Sequence, residues 1–388
     1  MAQSPAELFG TSWTLHRLSP LFHAQESKLS ILDNPDALSL YARRLRDMLT
    51  GDQLRGIRLS LDSTSLLDEA LEKAGALVAC KWETIPTWSY WNEEHSILED
   101  PEQTSLVVSA EQSAGILVTL QYEAIRYKAA LLSGPDGYRQ QQHEVTYLPL
   151  LVTRMPNALR QAFISFLENN FDARVSILRL PSAFLCSCLE AYLTTLSHKS
   201  QREDGTRAAL ERVIKEVQLT LSFPPPTTPL LKNLEISLPR QSLSDFYIRA
   251  LDNKAKPHDG GSSLTTPFLS ALLNYFKTHL AMDIGITAAQ PPKNHANHAP
   301  RITKIACGAF VLGSEGRMKL LANPGRAIFL DDSQLSIDSE DDSIIGQEEQ
   351  EKRCIWRANE GLLRALIGRA TCTQHRIEER ATLNNVTT

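Results

Sequence analysis

Apolar and polar positions are most regularly patterned between Val145 and Leu196. An apolar run rich in β-branched and aromatic residues, Val145–Val152, predicts a strand. Apolar residues then recur every three or four positions over 156–171, and again over 181–196 after a short strand at Arg174–Leu180. A proline opens each helical pattern, where its missing N–H costs nothing. The segment is therefore predicted to fold as strand, helix, strand, helix in one packed layer.

The preceding sequence continues this mixture of strands and helices. Ser12–Leu18 alternates as a strand, and the apolar spacing after Asn34 predicts a helix over about 35–50. Residues 115–153 have strand composition and predict one long antiparallel hairpin. The first part of the chain, 1–197, is thus expected to be a β-rich lobe with helices at about 35–50, 156–171 and 181–196.

A polar run after Leu196 predicts a domain boundary, and 206–388 is expected to be a second, α+β lobe. Its predicted features are a β-hairpin over 302–321, an acidic loop over 331–351 and a helix from about 349 to 370. The fold class that follows is α+β, with mainly antiparallel sheets flanked by amphipathic helices.

Length and charge restrict the class of protein. The chain has 388 residues, more than one hydrophobic core usually supports. Its net charge of −5 gives no general attraction to nucleic acid or membranes, so such binding requires a local patch. The six cysteines lack the paired spacing of a zinc site and are expected to be reduced. With no signal-peptide pattern and no apolar stretch of membrane-spanning length, the protein is expected to be soluble and intracellular.

Five arginines concentrate positive charge in the first lobe: Arg43, Arg44, Arg46, Arg55 and Arg58. Three of them lie on the exposed side of the predicted helix at 35–50, and two follow it. This group is either a solvated helix face or a patch that contacts DNA phosphates, and the sequence leaves both interpretations open.

Motifs that would carry catalysis are missing from the sequence. It has no Walker loop, glycine fingerprint, nucleophile elbow, kinase signature or cluster of metal ligands. His295 and His298 have no cysteine or acid at ligand spacing nearby, which disfavours a metal site. No cofactor, metal or catalytic residue is therefore expected.

Three stretches instead resemble a known family, the fungal form of CENP-L, a subunit of the inner kinetochore. They are 9–21 (FGTSWTLHRLSPL), the segment 151–176 that begins LVTRMP and ends FDARVS, and 307–320, which contains CGAFVL and EGRMKL. The resemblance extends from about Phe9 to about Ala370, and it does not account for the acidic stretch 331–351. Its motifs are structural and contain no catalytic residue.

The resemblance implies curved antiparallel sheets flanked by helices, similar to a bacterial recombination-associated DNA-binding protein. It also implies a nuclear, centromeric and non-enzymatic protein that forms a heterodimer with CENP-N. Other inner-kinetochore subunits and the DNA of the CENP-A nucleosome are further implied partners.

The partner is expected to dock at the 302–321 hairpin, because that segment is apolar on both faces. An uncovered edge of that composition would pair readily with another chain. The candidate partner-binding residues are Ile305, Cys307, Ala309, Phe310, Val311 and Leu312. The alternative is that other parts of the same chain cover both edges.

Three functions remain open at this level. A kinetochore scaffold agrees with the resemblance and with the lack of catalytic motifs. A nucleic-acid-binding module would use the group from Arg43 to Arg58, or the arginines near the end of the sequence, and would show steep salt dependence. An unrecognised enzyme would require a concave pocket with converging polar groups.

Overall fold

The structure is a computed structural model of the chain. It describes residues 8–23, 31–54, 73–86, 113–134, 145–197, 213–223, 231–242, 246, 267–282, 284, 300–321 and 354–371. The chain divides into two compact units. The first comprises residues 1–8, 12–178 and 363–388, and the second comprises residues 9–11 and 179–362.

The described part of the first unit combines β-strands with two long helices. Its strands are β1 (Ser12–Leu18), β2 (Leu21–Phe22), β3 (Leu77–Pro86), β4 (Ser113–Tyr122), β5 (Arg126–Leu132), β6 (Val145–Thr146), β7 (Leu150–Arg154) and β8 (Val175–Ile177). Its helices are α1 (Pro35–Leu54) and α2 (Asn157–Phe171). Both helices were predicted from the apolar spacing, and α1 starts where Asn34 Oδ1 accepts the Ala37 N–H at 3.0 Å.

The main sheet of this unit has the strand order β1-β7-β5-β4-β3, and β8 also pairs with β1. All of these pairs are antiparallel. β2 and β6 form a separate antiparallel pair. One face of the main sheet packs on α1 and α2, and the core there contains Trp82, Leu45 and Phe163.

Aromatic rings fill the centre of that core. The Trp82 ring lies 6.5 Å from the Phe163 ring and 6.2 Å from the Phe166 ring, measured between centroids. Tyr41 on α1 lies 4.5 Å from Phe171 at the end of α2. These contacts hold both helices against the same strands, because aromatic pairs at such distances stabilise beyond their buried area.

Two details of the first unit differ from the sequence prediction. The strand predicted at Val145–Val152 is divided into β6 and β7, because Pro149 between them has no N–H to donate to a ladder. The long hairpin predicted over 115–153 is a meander, in which β4 turns tightly into β5 and β7 pairs with the other side of β5. The turn at 123–125 contains neither glycine nor proline, so the sequence carried no signal for it.

In the residues that the structure describes, the second unit contains five strands and three helices. They are α3 (Ser182–Ser197), β9 (Val217–Ser222), β10 (Asn233–Leu238), α4 (Pro267–Leu280), β11 (Arg301–Cys307), β12 (Phe310–Gly313), β13 (Arg317–Leu320) and the helix α5 at residues 354–371, whose part from 363 onward belongs to the first unit. The strand order is β10-β9-β11-β12-β13, and β9 to β12 pair antiparallel with their neighbours. The α+β class with open antiparallel sheets is confirmed.

The units divide after Leu178, whereas the sequence pointed to a boundary near residue 197. The reason is that α3 packs on strands of the second unit. Ser182 Oγ donates to the Ile302 carbonyl at 3.1 Å, and the Tyr192 ring lies 5.1 Å from the Phe310 ring. The polar run after Leu196 therefore follows a helix of the second unit instead of preceding that unit.

The predicted 302–321 hairpin has a break in its first strand, which separates β11 from β12. Gly308 lies at this break, and its N–H donates to the Ile214 carbonyl at 2.8 Å. A Cβ at this position would lie 2.7 Å from the Val213 carbonyl oxygen, closer than real Cβ contacts allow. The close backbone approach requires glycine, and it turns the predicted two-strand hairpin into three strands.

The C-terminal end of α5 is bound by a strand of the first unit. Arg17 of β1 donates from Nε to the Ala370 carbonyl at 2.9 Å and from a terminal nitrogen to the Arg369 carbonyl at 3.4 Å. Helix ends leave such carbonyls without partners inside the helix, so a cationic donor stabilises the end.

Candidate interaction surfaces

The predicted partner-binding residues lie inside the sheet of the second unit. Ile305, Ala309, Phe310 and Leu312 are fully buried, and Cys307 and Val311 are partly exposed. β11 pairs with β9 on one side and with β12 on the other, and β12 also pairs with β13. The uncovered edge that was expected at β11 and β12 is therefore absent, since β9 covers β11. Partner binding by these residues stays a prediction.

Cross-strand register separates the two faces of this sheet. Leu219, Ile305 and Leu312 lie opposite one another on the buried face. On the outward face, Glu235 of β10 lies opposite Thr220 of β9, which lies opposite Lys304 of β11. Val311 also belongs to this outward face, since its partner is Ala306. Of the six predicted residues, Val311 thus lies on the face opposite to that of Ile305 and Leu312.

The environment of this sheet also keeps a neighbouring thiol and a phenol group protonated. Burial raises the pKa of Cys307 to about 11, although backbone N–H groups of Phe310 and Ala309 partly oppose the shift. The pKa of Tyr192 rises well above its ordinary value for the same reason. Its hydroxyl donates to Asn359 Oδ1 at 3.1 Å, and Asn359 Nδ2 donates to the Leu321 carbonyl at 3.2 Å. This network fixes α3 and α5 to the sheet.

β10 is the end strand of the second unit and has an open side among the described strands. It pairs with β9 over all six residues without a register shift. Phe223 N donates to the Lys232 carbonyl at 3.0 Å, which makes that pair hydrogen-bonded. Because hydrogen-bonded pairs alternate along an antiparallel ladder, the N–H and C=O groups of Asn233, Glu235 and Ser237 point away from β9.

β3 is the end strand of the first unit, and it carries the usual protections against pairing. Its register shifts between Leu77 and Ala79, which marks a bulge, and Lys81 in its middle is exposed. Pro86 ends the strand. Bulges, lysines and prolines are the devices by which natural edge strands avoid pairing with other chains. β10 has no bulge, lysine or proline within its six residues, and its one charged residue is the exposed Glu235.

The predicted DNA-contacting arginines are only partly described. Arg43, Arg44 and Arg46 lie exposed on α1, whereas Arg55 and Arg58 lie outside the described residues. The Arg44 guanidinium lies 5.7 Å from the centroid of the Tyr41 ring, within the range of a cation–π contact. The structure therefore places three of these cations on one helix surface, which Asp36 and Asp47 share.

A second group of cations lies across the other face of the first unit's sheet. Lys81 of β3 lies opposite Thr119 of β4, Thr119 opposite Lys128 of β5, and Lys128 opposite Arg154 of β7. Directly opposed residues share a face, and the alternate residues Trp82 and Val118 pack on α1 and α2. We name Lys81, Lys128 and Arg154 the basic row.

Sequence reasoning missed the basic row, and no local signal could have found it. Its members are far apart in the chain and become neighbours only through strand register. Neighbouring strands lie about 5 Å apart, so Lys128 and Arg154 are adjacent and Lys81 lies about 10 Å from Lys128. Lys81 and Arg154 are exposed, and Lys128 is half-buried.

The described residues contain no group of three or more His, Cys, Asp or Glu side chains that could hold a metal ion. Within the same part of the chain, no helix combines the length and apolarity that crossing a membrane requires.

Comparison with known proteins gave one family. The family model described as Centromere protein L, CENP-L, matches residues 7–371, nearly the whole chain. A search of curated proteins gave no match.

Proposed function

The chain belongs to the CENP-L family of centromere and kinetochore proteins, and on that premise we propose that it is a non-enzymatic scaffold subunit of the inner kinetochore. In this role it pairs with a CENP-N-like subunit and supports assembly on the centromeric CENP-A nucleosome during chromosome segregation. The family is a structural component of the kinetochore and not a known enzyme family. The match over residues 7–371 is the observation that carries the proposal.

The edge of β10 is the docking place that the geometry favours for the partner. Its outward N–H and C=O groups at Asn233, Glu235 and Ser237 would bond an added strand, as in other cases of strand addition. Leu234 and Ile236 are half-buried and would be covered further by such a strand. The contrast with the protected edge of β3 supports this choice.

Proline at Ser237 tests this docking. Ser237→Pro removes an N–H that points outward, so the bonds between β10 and β9 remain. We expect the variant to keep its melting temperature within a few degrees and to lose the co-expressed CENP-N-like subunit in co-purification.

The matched control is Ile236→Pro, which removes an N–H of the β10–β9 ladder and is expected to lower the melting temperature. A folded Ser237→Pro variant that retains the partner in full would reject docking at β10.

Direct DNA contact is a second candidate function, and the basic row is the observation that favours it. Its three cations lie on one sheet face at spacings of about 5 and 10 Å, within reach of successive phosphates. The α1 arginines are the other candidate, and Asp36 and Asp47 reduce the positive charge around them.

Two triple charge reversals distinguish these surfaces. One replaces Lys81, Lys128 and Arg154 with glutamate, and the other does the same at Arg43, Arg44 and Arg46. We expect the first to weaken DNA binding by the complex and to reduce the slope of log affinity against log salt by about 3, since each lost phosphate contact removes about 0.9. The second is expected to change the slope less. An unchanged slope in both variants would exclude these cations from DNA contact.

A further inference from the structure

Glu235 occupies the middle of the β10 edge, and its position bears on which strand can dock there. It is exposed, and its row continues inward through Thr220 to Lys304. Because Thr220 lies between them, Glu235 and the cation Lys304 are two strand spacings apart, about 10 Å. On the open side of β10, the nearest neighbour of Glu235 would be the directly opposed residue of an added strand.

A second acid lies close to the same edge. Ser237 Oγ donates a hydrogen bond to Glu216 Oε1, and both residues are exposed. Glu235 and Ser237 lie on one face, because alternate residues of a strand point to the same side. The outward face of β10 therefore carries the negative charge of Glu235 and, beside Ser237, that of Glu216.

A second copy of this chain fits this edge poorly. Antiparallel pairing of two β10 strands centred on Glu235 would place the two Glu235 carboxylates directly opposite each other. Pairing centred on Ile236 would place Glu235 opposite Ser237 of the copy, beside its Glu216. Like charges in directly opposed positions are destabilising, so both of these registers are disfavoured. A register centred on Leu234 would place Glu235 opposite Asn233, which supplies no opposite charge.

We propose that Glu235 determines the partner of the β10 edge: it disfavours a second copy of this chain and selects a strand that carries lysine or arginine in the opposed position. The partner strand has apolar side chains on its other face, where it extends the row of Leu234 and Ile236. This inference rests on the proposed docking of a CENP-N-like subunit at β10 and adds the chemistry of the strand that docks.

Charge substitutions at Glu235 test the inference on the full-length chain. Affinity for the purified CENP-N-like subunit is measured for wild type, Glu235→Gln and Glu235→Lys, at low and high salt. We expect the affinity to fall about threefold for Glu235→Gln and about tenfold for Glu235→Lys, since opposed charges contribute modestly in either direction. The difference should shrink at high salt. Sedimentation of the chain without its partner should show more self-association for Glu235→Lys mixed with wild type than for wild type alone.

Glu168→Lys is the matched control, because Glu168 is exposed on α2 of the first unit and the charge change is the same. It should alter neither readout. Equal partner affinity of wild type, Glu235→Gln and Glu235→Lys, together with loss of the partner in Ser237→Pro, would overturn the inference and leave the docking intact. Partner binding that survives Ser237→Pro in a folded protein would overturn the proposed docking itself.

Discussion

His16 shows how one buried residue links the first unit to pH. It lies in β1, is 3% exposed, and its Nε2 lies 3.3 Å from Thr153 Oγ1. Burial, and to a smaller extent the nearby Arg160 guanidinium, lower the pKa of His16 to about 4. The neutral imidazole is thus the form that the fold accepts.

The consequence is a loss of stability as pH falls. Below pH 6.5 the unfolded chain binds a proton at His16 while the folded chain does so only near pH 4, so unfolding becomes easier across this window. At pH 5 the loss from this residue is about 2 kcal/mol relative to pH 7. The measurement is the free energy of unfolding by denaturant at pH 5 and pH 7, for wild type and for His16→Gln. The contribution of His16 is the amount by which the change between the two pH values is larger in wild type. Identical pH dependences would show that His16 is not the group responsible.

At the scale of elements, a carboxylate of one helix caps another. Glu190 of α3 is 5% exposed and accepts the N–H groups of Phe268 at 3.3 Å and Leu269 at 3.2 Å. These are among the N–H groups at the start of α4 that have no partner within the helix. Negative charge also suits the start of a helix, so Glu190 joins α4 to α3.

Removing this carboxylate should loosen α4 specifically. Glu190→Ala leaves two buried N–H groups without acceptors and is expected to cost about 2–4 kcal/mol. Glu190→Gln keeps one acceptor oxygen, so its stability should lie between that of wild type and that of Glu190→Ala. Hydrogen exchange within Pro267–Leu280 is the readout, with α2 as the internal reference. Uniform protection in all three proteins would contradict a capping role.

Periodicity predicted elements better than it predicted their contacts. The apolar spacing was sufficient for α1, α2 and α3 because each buries one continuous stripe. Nothing in the pattern of α3 marked Glu190 as a buried cap, because its partner N–H groups lie far along the chain. The same limit applies to the basic row and to the outward side of β10, which depend on strand register.

At the scale of the molecule, the sequence indicated two compact units, but it did not indicate which segments belong to each unit. The polar run after Leu196 predicts a boundary there, although α3 packs on β11 and β12 and thus belongs with the second unit. The pattern of α5 also predicted a single buried stripe, with no sign that its two halves belong to different units. Such assignments depend on long-range packing, which local periodicity does not encode.

The first unit should therefore depend on residues near the end of the chain. A protein ending at Arg353 lacks α5, including the buried Leu363, Leu366 and Ile367. Losing several buried aliphatic side chains, at about 2–5 kcal/mol each, exceeds the stability of many domains. We expect this truncation to lower the melting temperature strongly relative to a chain ending at Thr371, which keeps the helix. Similar melting temperatures for both would show that α5 is dispensable.

The hydrogen bonds from Arg17 to the end of α5 can form only late in synthesis of the chain. Arg17 emerges from the ribosome early, but the carbonyl groups that it binds belong to Arg369 and Ala370, which emerge late. At 5–20 residues per second, about 10 to 40 s separate the emergence of Leu178 from that of Ala370. During this interval the nascent chain lacks a helix segment of its first unit, so chaperones have a defined period in which to bind it.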